Sequence, residues 1–379
     1  MGNQKTSGLT KRGGIWHIDK TFRGARICES TGTGDLGRAE EYLSKRLVEL
    51  REIRIYGARQ LRTFRTAATK YLQENTHKKS IKDDALHLRL LDGFIGHLDL
   101  TQVHMGNLQE FIAKRRKDGV KTKTLNASLG VVRRICNLAS SEWMDRQGKT
   151  WLQAAPKIKL FAVKDARLPY PLAREEQTLL FQELPDHLAR MALFKVNTGT
   201  REQEVCTLKW KYEVKVPELD TSVFLIPGER VKNGDERLVV LNRVAKSVIE
   251  SQRGRHPEYV FAYSHKKGEL RPVKEMNNTG WKCARERAAD AWAKEHGEPA
   301  PEGFRRVRVH DLKHTFGRRL RAEGVSFEDR QDLLGHRSGR ITTHYSQAEL
   351  TSLIDAAEKV CAAQSRKTPA TTWLRRTNG

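Results

Sequence analysis

The sequence predicts a multidomain chain, mainly α with small β elements (α+β): a small N-terminal sheet-plus-helix unit, a four-helix bundle and a larger unit of mixed α/β character. Three observations lead to it. At 379 residues the chain exceeds the usual size of one core, so two or three domains are expected. Four successive runs within residues 63–146 carry apolar side chains at three-to-four spacing, the period of an amphipathic helix. Residues 155–172, "APKIKLFAVKDARLPYPL", hold three prolines and no periodicity, and read as an interdomain linker.

From the N-terminus, Ile15, His17 and the stretch from Lys20 to Ile27 read as short strands broken by glycines, and "STGTGD" is a turn cluster. Asp35 can cap a following helix in which Ala39, Leu43 and Leu47 recur at i, i+4 and i+8. A small sheet packed on one helix satisfies this pattern; a flexible basic arm is the alternative. The four runs that follow, from "TFRTAATKYLQEN" to "TKTLNASLGVVRRICNLASSEW", each end at glycine or a polar cluster, as helices of a compact bundle would. A further block begins near Ala173 with two helices and continues into β-rich runs, "SVFLIPGERVKNGDERLVVLN", around a Lys-Asn-Gly-Asp turn. Helices resume after Asn242. From Gln364 the tail carries Arg366, Lys367, Arg375 and Arg376 without an acid, and is expected to stay unpacked or to dock on a partner subunit. These limits divide the chain at 1–58, 59–154, 155–172, 173–363 and 364–379.

Lysine and arginine number 70 against 46 acids, a formal net charge of +24. Such an excess favours polyanions, because each neutralised phosphate releases counterions. Nucleic acid is therefore the leading partner. An anionic membrane surface could use the same charge, yet the sequence has no run of about 18 apolar residues, and "MGNQKTSGLTKRGG" lacks the apolar stretch of an export signal. A soluble, non-exported protein is expected. The charge is concentrated between Phe111 and Arg134, where Lys114, Arg115, Arg116, Lys117, Lys121, Lys123, Arg133 and Arg134 face the single acid Asp118. Helices that approach DNA phosphates carry such a face, and so does a merely solvated one. Five scattered cysteines, with no CxxC and no histidine beside them, read as reduced structural thiols.

Four short stretches can carry chemistry. In "VRVHDLKHTFGRRLRAEG", residues 307–324, Leu312, Phe316 and Leu320 form a buried stripe, while His310 and Lys313 project together from a neighbouring face. His310 and His314 form an HxxxH pair without an acidic third ligand, so no metal is expected, and His314 reads as a core histidine. Ser326 caps the next helix, Gly335 stops it, and His336 follows that helix end at once. Tyr345 stands nine residues further on, across a basic turn. By itself it is as readily a half-buried aromatic as a nucleophile. In "NTGTREQEVCTLKW", Arg201 follows a turn at a helix start with Glu204 three residues on; the amides and the guanidinium fork suit phosphate, and a surface ion pair is the plain alternative. Lys232, in "ERVKNGDER", would alone be a solvated turn lysine.

The order of these residues resembles the tyrosine recombinase (phage integrase) family, whose pattern runs Arg, Lys, His-x-x-Arg, His or Trp, and Tyr. "TGTREQEVCTLKW" is similar to the family's T-G-x-R-x-x-E-x-x-x-L-x-W, "HDLKHTFGRRL" to H-x-L-R-H-T-F-A, and "LLGHRSGRITTHYS" to L-G-H-x-x-x-x-T-x-x-Y. The likeness covers residues 173–350. Residues 59–154 resemble the family's helical, SAM-like core-binding domain, and 1–58 resemble its small arm-type DNA-binding domain. One position departs: Lys313 stands where the family has its second arginine, offering a point charge in place of a bidentate clamp.

The resemblance implies an integrase-like site-specific recombinase. Tyr345 would be the nucleophile, forming a 3′-phosphotyrosyl bond; Arg201, Lys313 and His336 would clamp the phosphate; His310 would be the general base; Lys232 the general acid; Glu204 would orient the clamp. Phosphorane-like charge calls for such electrostatic clamps, and no metal or cofactor is implied. The implied partners are double-stranded DNA at core sites and arm sites, a homotetramer on DNA, a DNA-bending protein and an excisionase, all in the bacterial cytoplasm on the nucleoid, with no membrane. The helix after Tyr345, with Leu350, Leu353, Ile354 and Ala357 at helical spacing, would dock on a neighbouring protomer or on its own domain. A chromosome-dimer resolvase of the same chemistry, a type IB topoisomerase and a DNA-binding protein that has lost catalysis are the alternatives.

Overall fold

A computed structural model describes residues 8–22, 24–55, 58–145, 147–231, 234–264, 268–336 and 347–361. The chain divides into two compact units, Met1–Arg167 and Leu168–Gly379.

The first unit opens with an antiparallel sheet of β1 (Leu9–Arg12), β2 (Ile15–Phe22) and β3 (Ala25–Ser30), in that order, with Lys11 opposite Trp16 and Asp19 opposite Cys28. Asp35 begins α1 (Leu36–Ile55), its carboxylate accepting the Arg38 amide at 2.9 Å. That bond meets one of the four orphan amides of a helix start. Ile18, Ile27 and Leu43 are buried together, with Leu9, Leu47 and Leu50 against them. The sheet-plus-helix arrangement, and not a flexible arm, is what this segment adopts.

The four periodic runs form α2 (Phe64–Glu74), α3 (Ile81–Ile95), α4 (Gln109–Lys117) and α5 (Thr122–Ser141). Phe64, Tyr71, Leu91, Ile95, Phe111, Leu129, Val132 and Ile135 share one core. Cys136 lies in it, and burial pushes its thiol up to about 12, which makes it inert near neutrality. The proline-bearing stretch has no helix or strand over 155–172, yet part of it is pinned. Asn126 exchanges two hydrogen bonds with the Phe161 backbone (2.7 and 2.9 Å), and Asp165 accepts the Thr122 amide at the start of α5 (2.7 Å). A polar network lies within the bundle: the Tyr71 hydroxyl donates to Asp84 at 2.8 Å, and the Lys78 ammonium reaches the same oxygen at 2.6 Å. Tyr71→Phe removes one partner of a buried acceptor and is expected to cost about 1–2 kcal/mol in a urea melt.

The second unit begins with α6 (Arg174–Glu183), α7 (Asp186–Thr198) and a short α8 (Glu202–Cys206), three helices where the sequence suggests two. An antiparallel sheet follows, β4 (Glu213–Val216), β5 (Thr221–Ile226) and β6 (Arg237–Val240), with Ile226 opposite Arg237. After α9 (Arg243–Gln252) comes a hairpin, β7 (Ala262–Ser264) and β8 (Leu270–Pro272), which helical periodicity does not anticipate. Then come α10 (Thr279–His296), α11 (Glu302–Arg305), α12 (Asp311–Ala322), α13 (Phe327–Leu334) and α14 (Gln347–Glu358). Phe194, Phe224, Trp281 and Phe304 fill the main core. Phe316, Leu320, Leu333, Leu353 and Ala357 form a second one, so α14 packs on its own unit.

Candidate active site

Elements distant in sequence converge at the α13 C-terminus. Gly199 caps α7 with φ +63, and a Cβ there would press on Phe316. This left-handed residue turns the chain so that Arg201 precedes α8. Arg201 donates its amide to Glu204 Oε2 and its Nη1 to Glu204 Oε1, both at 2.7 Å, and its Nη2 to the Gly335 carbonyl at 3.1 Å. Glu204 is 2% exposed, so the pair is buried and not a surface one. The Arg201 amide, expected to be open to phosphate, is already taken by Glu204.

Burial alone would push the Glu204 carboxyl up, but Arg237 and the Arg201 hydrogen bonds outweigh it and hold the pKa below its ordinary value. Arg237 Nε lies 3.5 Å from Glu204 Oε2.

Asp311 fixes the start of α12 by accepting the Tyr170 amide at 3.1 Å and the Arg308 amide at 2.8 Å. From that helix Lys313 turns inward, buried, and its ammonium donates to the Leu334 carbonyl. Burial, then the charges of Arg237 and Arg201, push its pKa down to about 6. The expected fixed point charge is thus largely neutral at pH 7 in the DNA-free protein.

His310 occupies the cap position of α12, exposed, with its ring edge-on to His314 at 4.9 Å. Shielding from water, then Lys195, His314 and Lys313, push it down to about 4. Its pKa therefore lies below that of a typical imidazole. His314 is half-buried, short of the core position expected of it. His336 follows Gly335 (φ +56), and its amide donates to the Gln331 carbonyl at 3.0 Å. Its pKa too is lowered, by shielding and by Lys313, Arg201 and Arg237. Its imidazole is thereby favoured in the neutral form.

Arg201, Glu204, His310, Lys313 and His336 are thus brought to one place. Lys232 and Tyr345 lie outside the described residues. Two members of the cluster were not singled out in the sequence. Lys195 is fully buried, donates to the Thr200 carbonyl, and is pushed down to about 8 by burial. It continues the buried stripe of Leu188 and Met191 at helical spacing, and a cation on such a stripe is a usable signal. Arg237 shares the buried strand face of Val239. Among the described residues, Glu175, Glu295 and His296 could share a cation; all three are exposed, and His296 Nε2 pairs with Glu175 at 3.1 Å outside this cluster.

On the basic stretch, Lys114, Lys117, Lys121, Lys123, Arg133 and Arg134 are exposed. Arg115 pairs with Asp118 at 3.3 Å, and the exposed Arg116 lies 4.6 Å over the Phe161 ring.

The family model "Phage integrase family" matches residues 172–351 and the "Phage integrase N-terminal domain" model residues 8–52, together more than half of the chain. The integrase of Salmonella phage P22 is 26% identical over 93% of this chain and 94% of that protein. Tyrosine recombinase XerA of Thermococcus kodakarensis is 26% identical over 66% of this chain and 79% of that protein. The fold is similar to that of a lambda integrase dimer bound to a COC′ core site, with a TM-score of 0.55 at 13% identity over 98% of this chain and 99% of that one. With Arg201, Glu204, His310, Lys313 and His336 gathered in one cluster and the two family models matching successive parts of the sequence, the chain belongs to the phage integrase family of tyrosine recombinases.

Proposed function

We propose that the protein is a site-specific DNA integrase that cuts and rejoins strands through a 3′-phosphotyrosyl intermediate on Tyr345, integrating or excising a phage genome or genomic island. One observation carries this reading: Arg201, Arg237, Lys195 and Lys313 surround one buried carboxylate, Glu204. Keeping all four basic groups charged together is costly in low dielectric, and a phosphodiester would relieve that cost. The half-buried Glu202 also faces Lys195 but accepts the Met276 and Asn277 amides at 2.7 and 2.9 Å.

In this mechanism the Tyr345 oxygen attacks phosphorus and the bond to the 5′-oxygen breaks. The neutral His310 takes the phenol proton, and Lys232 protonates the leaving oxygen. Arg201, Lys313 and His336 hold the non-bridging oxygens, and the 5′-hydroxyl of a partner strand reverses the step, conserving the bond energy. Each of two duplexes loses both strands, so four protomers act together. The lambda integrase tetramer bound to a Holliday junction, similar in fold with a TM-score of 0.55, supports that count. A DNA-bending protein and an excisionase would set direction. The phage relative spans 93% of the chain while the XerA relative spans 66%, which favours the integrase over the chromosome-dimer resolvase.

The test is a pool of nicked duplexes tiled from the DNA flanking the gene, incubated with the full chain and resolved on a denaturing gel. A protein–DNA adduct on one or a few duplexes is expected. No adduct on any duplex would sink the reading.

Two further outcomes are expected. A negative phosphate raises the pKa of Lys313, so binding carries a proton to it, and adduct formation should fall as pH climbs from 6 to 8.5, by up to about tenfold per unit. Lys313→Arg stays charged throughout and should flatten that profile. On the basic stretch, alanine at Lys117, Lys121 or Lys123 takes one ammonium away from the DNA phosphates, and each such substitution should reduce the slope of log K against log[salt] by about 0.9.

A further inference from the structure

The last carbonyls of a helix have no intrahelical partner and carry the negative end of its dipole. At the C-terminus of α13 those groups are received by basic side chains from three other elements. Arg237 on β6 donates Nη1 to the Asp332 carbonyl at 3.3 Å and Nη2 to that of Leu333 at 2.8 Å. Lys313 serves Leu334, and Arg201 serves Gly335 at 3.1 Å. Arg237 also faces, through Nε, the Glu204 oxygen that receives the Arg201 amide. It is 3% exposed, too buried to reach a DNA strand itself. A Cβ on Gly335 would overlap its guanidinium, so the glycine leaves room for that fork as well as supplying the left-handed turn.

We propose that Arg237 is a positioning residue of the recombinase site. Held between Glu204 and the Asp332 and Leu333 carbonyls, it sets the α13 terminus against Arg201 and Lys313. It thereby fixes where His336 enters the site. Lysine cannot substitute, because one ammonium on a shorter stem cannot span a carboxylate and two carbonyls in a planar fork. The inference rests on the recombinase reading.

The test uses the full chain, wild type, Arg237→Lys and Gly335→Ala, on a duplex that gives an adduct in the tiled pool. Dissociation constants come from gel shift, and first-order rate constants for adduct formation are read separately from amplitudes. Misplacement of reacting groups by about 1 Å costs about 100-fold. Arg237→Lys is therefore expected to bind DNA within about threefold of wild type but to form the adduct about 100-fold more slowly. Gly335→Ala keeps every charge and displaces the fork, so it should show the same split and stands in if Arg237→Lys does not fold. A buried arginine serving only stability would lower the melting temperature and the amplitude while the remaining fraction reacted at the wild-type rate constant. That result, or a rate within threefold of wild type, overturns the proposal. Absence of a wild-type adduct defeats the recombinase reading instead, and this inference with it.

Discussion

Tyr345→Phe leaves DNA affinity within about twofold and abolishes the covalent adduct, because it removes one hydroxyl that the bound ground state barely uses and the reaction cannot do without. In the proposed mechanism the phenol oxygen is the atom that bonds to phosphorus. A water could take its place, but water attack frees the phosphate and yields a nick without a protein attached. Losses for a missing nucleophile reach about 10⁶-fold, so the variant should show no adduct on a nicked duplex within hours. The paired measurements are the gel shift and the denaturing gel. An adduct of normal yield from the variant would place the nucleophile elsewhere, whereas equal loss of binding would make Tyr345 a structural aromatic.

Glu204→Gln should destabilise the second unit more than any other single polar change in it. Glutamine keeps the shape and an acceptor, but not the charge that faces Arg201 and Arg237. Removing one partner of a buried ion pair costs about 3–5 kcal/mol. For a unit of this size each kcal/mol moves the melting temperature by about 2–4 °C, so the fall should be about 6–20 °C. The pH dependence follows from the sign of the shift. Glu204 is held below its ordinary pKa in the fold, so its contribution is complete above the unfolded value of about 4.3 and disappears as pH falls through the lower folded value. The gap between wild type and variant should therefore stay constant from pH 7 to 5 and narrow in more acidic buffer. A calorimetric series in buffers of decreasing pH would show both.

Much of this architecture was legible because it is written in local periods. The spacing of Leu125, Leu129 and Val132 announces α5, and the Asp35 and Ser326 caps mark helix starts that the structure realises through amides of Arg38 and Asp329. The order of Arg201, His310, Lys313 and His336 was readable as motif. The β7–β8 hairpin was not, since each strand is three residues long and too short for alternation to register. Arg237 escaped for another reason. It meets Asp332 across 95 residues of chain, and what makes it part of the site is a fork of carbonyls and a glycine that exist only once the fold has formed. The low pKa of Lys313 followed the same rule, because it comes from burial and from Arg237 and Arg201, far away in sequence.

The inert thiol of Cys136 has a counterpart in Cys206, likewise buried and pushed up to about 12, so each unit carries a fully buried, silent sulfur, while burial raises the half-buried Cys361 as well. Cys28 and Cys283 are exposed and would be blocked first by an alkylating reagent. After that, labelling of Cys136 can proceed only when the bundle opens, and labelling of Cys206 only when the second unit opens. Peptide mapping of the two alkylated sites over time is thus a pair of clocks, and it would report, without any engineered probe, whether DNA slows the opening of one unit or of both.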